Sequence, residues 1–582
     1  MRILGFMVLL TLLSTSLASA SGQWPPKPLA AYTDSPVVIW AHYMPQVPMG
    51  RIHNSFEHND DLWPLITQQG SETQQMERNI ESALESGVNG FMCLTVVPNH
   101  FLKAAENVYK RTGKMFYMNP QWCDLGEDQA NAFAKIKAFI EKTKDNPHVY
   151  RLHGKQMHFS YGSRHQWAYR SQQDDPLPEN AYLHSEGYLT LKKYLGDLGD
   201  EIVFVPAIGG SDRVFLGRGT NEWRYRNWPD WENVTPDLSW FKNTHWDGLT
   251  DLNGSTYWPD HIRQHIVKAI KEHRPDFIYV PSINFAYDSS NRPFQAIYLA
   301  SHGFVRLRTQ VRESFLNGFK QLNLSTWNDI NETMLMPSTR NMYGYNVLLN
   351  YYHQLAQTGM SPYENSKMLI AAQPQVMRGE QLEVQALAIP AKDSISLDYI
   401  VTVRLEDIHG KEVITLSDRL YVENQQTDAL ASMRWDTSML SADVNVLVPF
   451  VSVRQIARDS QHSREIYKDK QLQPIEVRYN KLQFASFQTW DLDRVENVQM
   501  SLQLAGQDAS EVTCNSRSLV DLVAKVKGNQ NWRRLAVVQA NTQLAGFRPD
   551  DQVDQKQKVY YLALRLPAAV GCKVSVAEGK LD

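Results

Sequence analysis

Two carboxylates three positions apart, Asp329 and Glu332, stand in the stretch STWNDINETMLMPS that runs from Ser325 to Ser338. A short apolar run around Leu324 comes just before, Trp327 and Asn328 precede the pair, and Pro337 follows it. Two acidic groups converging on one cleft can be driven apart in pKa, so that one stays protonated as a general acid while the other works as a base. Cleavage of a glycosidic bond needs that division of labour: a proton for the leaving oxygen, and a base or nucleophile on the anomeric side. The same spacing also fits a solvated loop, and Asn331 or Glu332 fits the cap of a following helix.

Other side chains have the types that line a sugar cleft. His42 and Tyr43 end an early apolar run, where their polar tips could meet hydroxyls; the alternative for His42 is a satisfied core histidine. Asp247, followed by Gly248, and Asp251 flank a later run, which suits either a carboxylate at a cleft mouth or a turn. Between Trp223 and Trp246 the chain also carries Trp228, Trp231 and Trp240, with charged residues between them. Aromatic faces match the C–H faces of pyranose rings and interleaved polar groups bind hydroxyls, although packing of a long loop accounts for some of these rings. Asn119, Trp122 and Tyr161 end two further runs and join the cleft candidates. His261 and His265, one helical turn apart in HIRQH, lack the intervening Glu of the zinc-protease signature and read as part of an outer helix. AIGGSD, with Gly209 and Gly210, reads as a strand-end turn rather than a phosphate cradle. No catalytic metal and no cofactor are expected.

The elements that must position these groups follow from the hydrophobic pattern. From Pro36 to about Gly359, short apolar runs (VVIWAHYM, GFMCLTVV, KMFYMNP, MHFSYGS, IVFVPAIG, WDGLTDLNG, FIYVPSINFAY, QLNLSTWND) alternate with amphipathic stretches. In ERNIESALESG, Ile80, Ala83 and Leu84 share a helical face and Gly87 is a natural stop; Phe133, Ile136 and Ile140 repeat the logic. Eight such βα units predict an α/β fold, a (β/α)8 TIM barrel over residues 36–362. Asp329 and Glu332 then fall at the carboxyl end of the eighth strand, the face on which barrel enzymes build their sites. After about Tyr363 the texture changes to alternating segments such as QLEVQALAI, YIVTVRLEDI and VNVLVPFVSV. That texture predicts an Ig-like β-sandwich module over residues 366–474 and a second β-rich module over 475–582.

The ends and the composition bound the rest. Arg2, the apolar run Ile3 to Leu13 and Ala18-Ser19-Ala20 read as a signal peptide over residues 1–20, so the mature chain is expected to be secreted or periplasmic. No later apolar run reaches the roughly 18 residues a membrane span needs. A net charge of −4 with acidic and basic residues intermixed gives no sign of a nucleic-acid partner. Of the four cysteines, Cys514 and Cys572 form the better candidate disulfide, while Cys93 and Cys123 suit either pairing or life as buried free thiols.

The stretch TWNDINET resembles the Trp-Asn-Asp-x-x-Glu signature of glycoside hydrolase family 71, the mutanase-type α-1,3-glucanases. More distantly, it is similar to the Asn-Glu-x-x-Glu of the family 99 endo-α-mannosidases. VVIWAHYMP, ERNIESALESGVNGFMCL and YVPSINFAY resemble further segments of the same barrels in the same order. The resemblance covers residues 36–360 and implies a (β/α)8 hydrolase of an α-linked polysaccharide or oligosaccharide, with Glu332 as the proton-donating acid and Asp329 as the base. Asp rather than Glu at the base position favours the glucanase side and an inverting outcome. The mutanase motif continues with an aromatic residue, Gly, Glu and Ser, where this chain has Ile330, Asn331, Glu332 and Thr333. The likeness also adds Trp327 and Asn328 to the expected sugar-contacting residues.

Overall fold

A computed structural model describes residues 23–45, 66, 70–94, 97–122, 129–160, 186–206, 245–250, 260–288, 298–299, 302–328, 335–338, 342–394, 396–407, 410–442, 444, 446–456, 463–478 and 487–495, with isolated strands between 499 and 580. The apolar runs of the amino-terminal half are parallel strands: β1 (Val38–Tyr43), β2 (Gly90–Leu94), β3 (Tyr117–Trp122), β4 (Lys155–Ser160) and β5 (Ile202–Pro206). They continue with β6 (Gly248–Thr250), β7 (Ile278–Val280), β8 (Ser282–Ile283) and β9 (Gln321–Leu324). Pro281 separates β7 from β8, as expected of a residue with no N–H to give to a ladder. One continuous ladder runs β5–β4–β3–β2–β1–β9–β8, and β6 pairs β7 in a second.

Among the described residues the ladders make a half-barrel sheet and a separate parallel pair, in the sequential order expected of βα units. No ladder joins β5 to β6 among the described residues; instead the Asp247 carboxylate accepts from the Phe204 N–H at 3.0 Å and from the Tyr188 hydroxyl. Helices α1 (Glu72–Glu85), α2 (Asn99–Thr112), α3 (Gln129–Lys142), α4 (Glu186–Leu195), α5 (Asp260–His273), α6 (Val305–Leu316) and α7 (Gly344–Thr358) lie between or after the strands. α1 starts on a reciprocal capping box, Ser71 accepting from the Gln74 N–H while the Gln74 side chain accepts from the Ser71 N–H. Among the described residues, no helix is long and apolar enough to cross a membrane.

The interior of the ring is filled from its amino-terminal side. Trp40 of β1 meets Phe159 of β4 with centroids 5.2 Å apart, although β2 and β3 stand between their strands, so both side chains point inward. Gly90 makes the room: a Cβ there would lie 2.6 Å from Trp40 Cε3. Tyr150 stands edge-on to Trp40 at 5.6 Å, and Gln321 binds both, accepting from Trp40 Nε1 at 3.0 Å and donating to the Tyr150 hydroxyl at 3.1 Å.

The following strands form two facing sheets. β10 (Lys367–Ala372), β11 (Gln375–Met377), β12 (Gln381–Ile389), β13 (Leu397–Glu406), β14 (Glu412–Val422) and β15 (Ala429–Asp436) come first. β16 (Val446–Ile456), β17 (Ser463–Gln471), β18 (Ile475–Arg478) and β19 (Gln488–Asp491) complete them. The orders are β15–β12–β10–β19 and β11–β18–β16–β13–β14, with β17 on β16. Val384, Val401, Val403 and Val451 are among the residues of a shared core. β18 and β19 lie past residue 474 yet pair with strands before it, so the sandwich extends beyond the expected boundary there.

Ring and sandwich share a packed seam. Leu369, Ala371, Leu387 and Ile389 belong to the ring's hydrophobic cluster. Arg308 of α6 grips Asp428 with two bonds, 2.7 and 3.0 Å, and the Tyr352 hydroxyl donates to the same carboxylate at 3.1 Å. That carboxylate holds the Arg308 guanidinium well above its usual range.

Further on, Gln499–Leu502, Ser510–Cys514 and Cys572–Val574 form one antiparallel sheet, in which Cys514 and Cys572 are direct register partners. Leu519–Val526, Trp532–Gln539, Val559–Arg565 and Gly579–Lys580 form another.

Candidate active site at the carboxyl ends of the ring strands

Alternation along a strand sorts the side chains. Trp40 points inward, so His42, two residues on, shares the inner face; Asn323 and Ser282 share it too, as successive register partners of Trp40. Asn323 Nδ2 donates to Thr250 Oγ1 at 3.0 Å across the ring, and the Ser282 and Ser325 hydroxyls lie 3.4 Å apart. Gln121, register partner of Phe159, faces the same space from the carboxyl end of β3. Above an aromatic floor the ring thus presents uncharged hydrogen-bonding groups. Burial pulls the His42 imidazole down to a pKa of about 4, so it is neutral at ordinary pH.

The segment bearing the two carboxylates is outside the described residues, but both its ends are described. Trp327 donates its N–H to the His42 carbonyl at 2.8 Å. Asn328 then clamps the end of β1: its Oδ1 accepts from the Met44 N–H at 2.9 Å and its Nδ2 donates to the Met44 carbonyl at 3.1 Å. On the return, the Leu335 and Met336 N–H groups donate to the Thr326 and Trp327 carbonyls at 3.0 and 3.1 Å. The chain therefore leaves and re-enters at the carboxyl ends of β1 and β9.

Several residues expected at the sugar cleft have other work. Tyr43 points away from the interior, stacked on Phe91 at 4.7 Å and edge-on to Phe101 of α2. Trp122 also faces outward, its indole N–H donating to His158 Nδ1 at 3.0 Å and its ring set against Phe139 of α3. Trp327 is fully buried, tilted against Phe91 and donating to Asn79 of α1 at 3.0 Å. Asn119 spends its amide on backbone, accepting from Tyr150 N–H at 2.8 Å and donating to the Met157 carbonyl at 2.5 Å. Asp247 lies before β6, at its amino end, where it bridges to β5 and α4, rather than at the mouth. His42, Asn119 and Asn328 are the expected residues that border the interior or its rim, Asn119 with its amide already bonded to backbone. Tyr161, Trp223, Trp228, Asp329 and Glu332 lie outside the described residues, as do Cys123, Gly209, Gly210, Trp231, Trp240 and Asp251. Trp246 is in the core, His261 and His265 do lie on α5, and Cys93 is a buried free thiol. Gln121, Asn323 and Ser325 escaped the sequence reading; the alternation Trp40–His42, carried across the ladders, is the signal that finds them.

No protein-family model matches the sequence. No curated protein matches it. Solved structures that it resembles in shape include glycoside hydrolases. One is a GH99 endo-α-mannosidase from Bacteroides thetaiotaomicron, with 12% identity and a TM-score of 0.39 over 55% of this chain and 98% of that one. Another is a β-glucuronidase from Parabacteroides merdae, with 10% identity and a TM-score of 0.42 over 94% of this chain and 62% of that one. A glycosyl hydrolase family 2 member from Bacteroides cellulosilyticus gives 10% identity and a TM-score of 0.39 over 94% of this chain and 61% of that one.

Proposed function

We propose that this chain is an exported glycoside hydrolase that cleaves an α-linked polysaccharide, α-1,3-glucan first among the candidates, by paired-carboxylate acid/base catalysis. The ring is taken as a complete (β/α)8 barrel whose site opens at the carboxyl ends of its strands. The anchoring of both ends of residues 329–334 beside β1 and β9 carries this reading, because it tethers the only segment of the TWNDINET stretch that holds carboxylates to the rim of a polar, aromatic-floored interior. Glu332 protonates the leaving oxygen and Asp329 draws the proton from the attacking water. Such a mechanism calls for about 6.5–9.5 Å between the two carboxyl groups, room for that water, and a product of inverted configuration. The likeness of TWNDINET and VVIWAHYMP to the mutanases supports the choice of glucan.

Purified protein, incubated with α-1,3-glucan and α-mannan, should release reducing sugar from the glucan, and NMR of fresh product should show inversion at the anomeric carbon. Release from mannan alone moves the assignment to an endo-α-mannosidase-like hydrolase. Binding without release makes the ring a non-catalytic glycan-binding module. Retained configuration removes Asp329 from the water-activating role.

A further inference from the structure

Gln121 is the conspicuous buried polar group of the ring. Its side chain is fully enclosed, yet neither Oε1 nor Nε2 has a hydrogen-bond partner among the described residues. A buried amide left in that state destabilises the fold, and a structural role does not repay that. Its surroundings contrast with those of Asn119, two residues earlier, whose amide is spent on the Tyr150 and Met157 backbone. The ladder fixes its direction. Gln121 pairs with Leu94 on one side and with Phe159 on the other, and Phe159 touches Trp40 across the ring, so the amide is aimed into the interior. Along β3 it is the last residue but one, at the carboxyl end. Asn323, on the opposite flank of β1, repeats the pattern in part: its Nδ2 is bonded to Thr250 and its Oδ1 is unmet.

We infer that Gln121 is a sugar-binding residue, and that it selects a neutral pyranose by taking two adjacent hydroxyls in a bidentate grip. A primary amide offers one acceptor and one donor side by side, and a vicinal diol offers the matching donor and acceptor. A carboxylate only accepts, so a carboxylate-bearing sugar would meet the Gln121 N–H with one oxygen and leave the other facing the Gln121 carbonyl, whereas a vicinal diol satisfies both atoms. Substrate, rather than protein, satisfies the amide, and the cost of its burial in the free protein is recovered on binding. This inference rests on the glycan-hydrolase reading of the same strand ends.

Gln121→Met tests it, because methionine fills similar space and removes both unmet polar atoms. Unfolding by urea without ligand should show the variant as stable as the parent or more so, since an apolar isostere is tolerated where the polar groups had no partners. On α-1,3-glucan oligosaccharides its kcat/KM should fall by about 10- to 100-fold, with the thermal shift those oligosaccharides give the parent lost in parallel. A variant that is markedly less stable without ligand overturns the inference, since Gln121 then has a structural partner. A stable variant that cleaves and binds like the parent also overturns it, while leaving the hydrolase reading intact. A parent that binds the oligosaccharides without cleaving them, and loses that binding on substitution, removes the hydrolase reading and keeps this one. A parent that neither cleaves nor binds α-1,3-glucan, α-mannan or their oligosaccharides overturns both.

Discussion

Replacing Glu332 by Gln leaves a side chain of nearly the same shape that cannot deliver a proton. On a glycan with a poor leaving group, Glu332→Gln should lose about 10²- to 10⁴-fold in turnover, with its unfolding curve and glycan binding unchanged. Near-parental turnover would take Glu332 out of the mechanism. At this scale the sequence discloses strand ends well and strand faces poorly. Tyr43 and Trp122 were expected at the mouth because they end apolar runs, and they do end strands; they face the helices instead. The reason is physical: ring strands are buried on both faces, so hydrophobicity does not alternate and cannot reveal which residues point inward. Asn119, also expected at the cleft, has its amide occupied for another reason. It is the local divergence of the chain at Tyr150 that consumes its amide, and nothing in KMFYMNP announces a backbone partner 31 residues away.

Among elements, the clamp of Asn328 on Met44 matters most, since Asp329 is its neighbour in the chain. Asn328→Ala strands a backbone donor and a backbone acceptor and frees the entry to the carboxylate segment. It should cost roughly 1–3 kcal/mol in urea unfolding and lower kcat more than it raises KM. Unchanged kinetics would show that the clamp serves stability alone. The Cys514–Cys572 pairing also belongs here, because antiparallel register places the two positions opposite each other. A bond closing that span would contribute about 4 kcal/mol in the loop-closure picture; peptide mapping without reductant should recover the two cysteines linked, and two free thiols would exclude it. The helices were legible because their periodicity is written in single faces, as in Ile80 and Ala83. The boundary near residue 474 was not, because alternating strand texture reads the same whether the next strand joins the same sheet or a new one, and β18 joins the old one.

For the molecule as a whole, acid should be the weak side. Burial lowers the imidazoles of His42 and His353 from 6.5 to about 4 and that of His158 to about 3. Between those values and 6.5 the unfolded chain binds protons that the native one refuses, so stability should be flat above about pH 6.5 and decline as pH falls towards 4. His353→Gln, which keeps a donor for the Val37 carbonyl, should flatten that decline by about one proton; an unchanged slope would acquit His353. The change from parallel βα strands to antiparallel sheets was readable from the change in texture after Tyr363, whereas the contact between the parts was not, because Arg308 and Asp428 stand 120 residues apart and neither has a distinctive neighbourhood in sequence. That contact has a calorimetric meaning. Two bodies that share a hydrophobic cluster and a half-buried ion pair cannot melt independently, so ring and sandwich should absorb heat in a single endotherm whose van't Hoff and calorimetric enthalpies agree. Asp428→Ala leaves the Arg308 guanidinium without its partner and should lower the melting temperature while the shared hydrophobic cluster keeps a single endotherm; two peaks would show that the ion pair alone couples the parts.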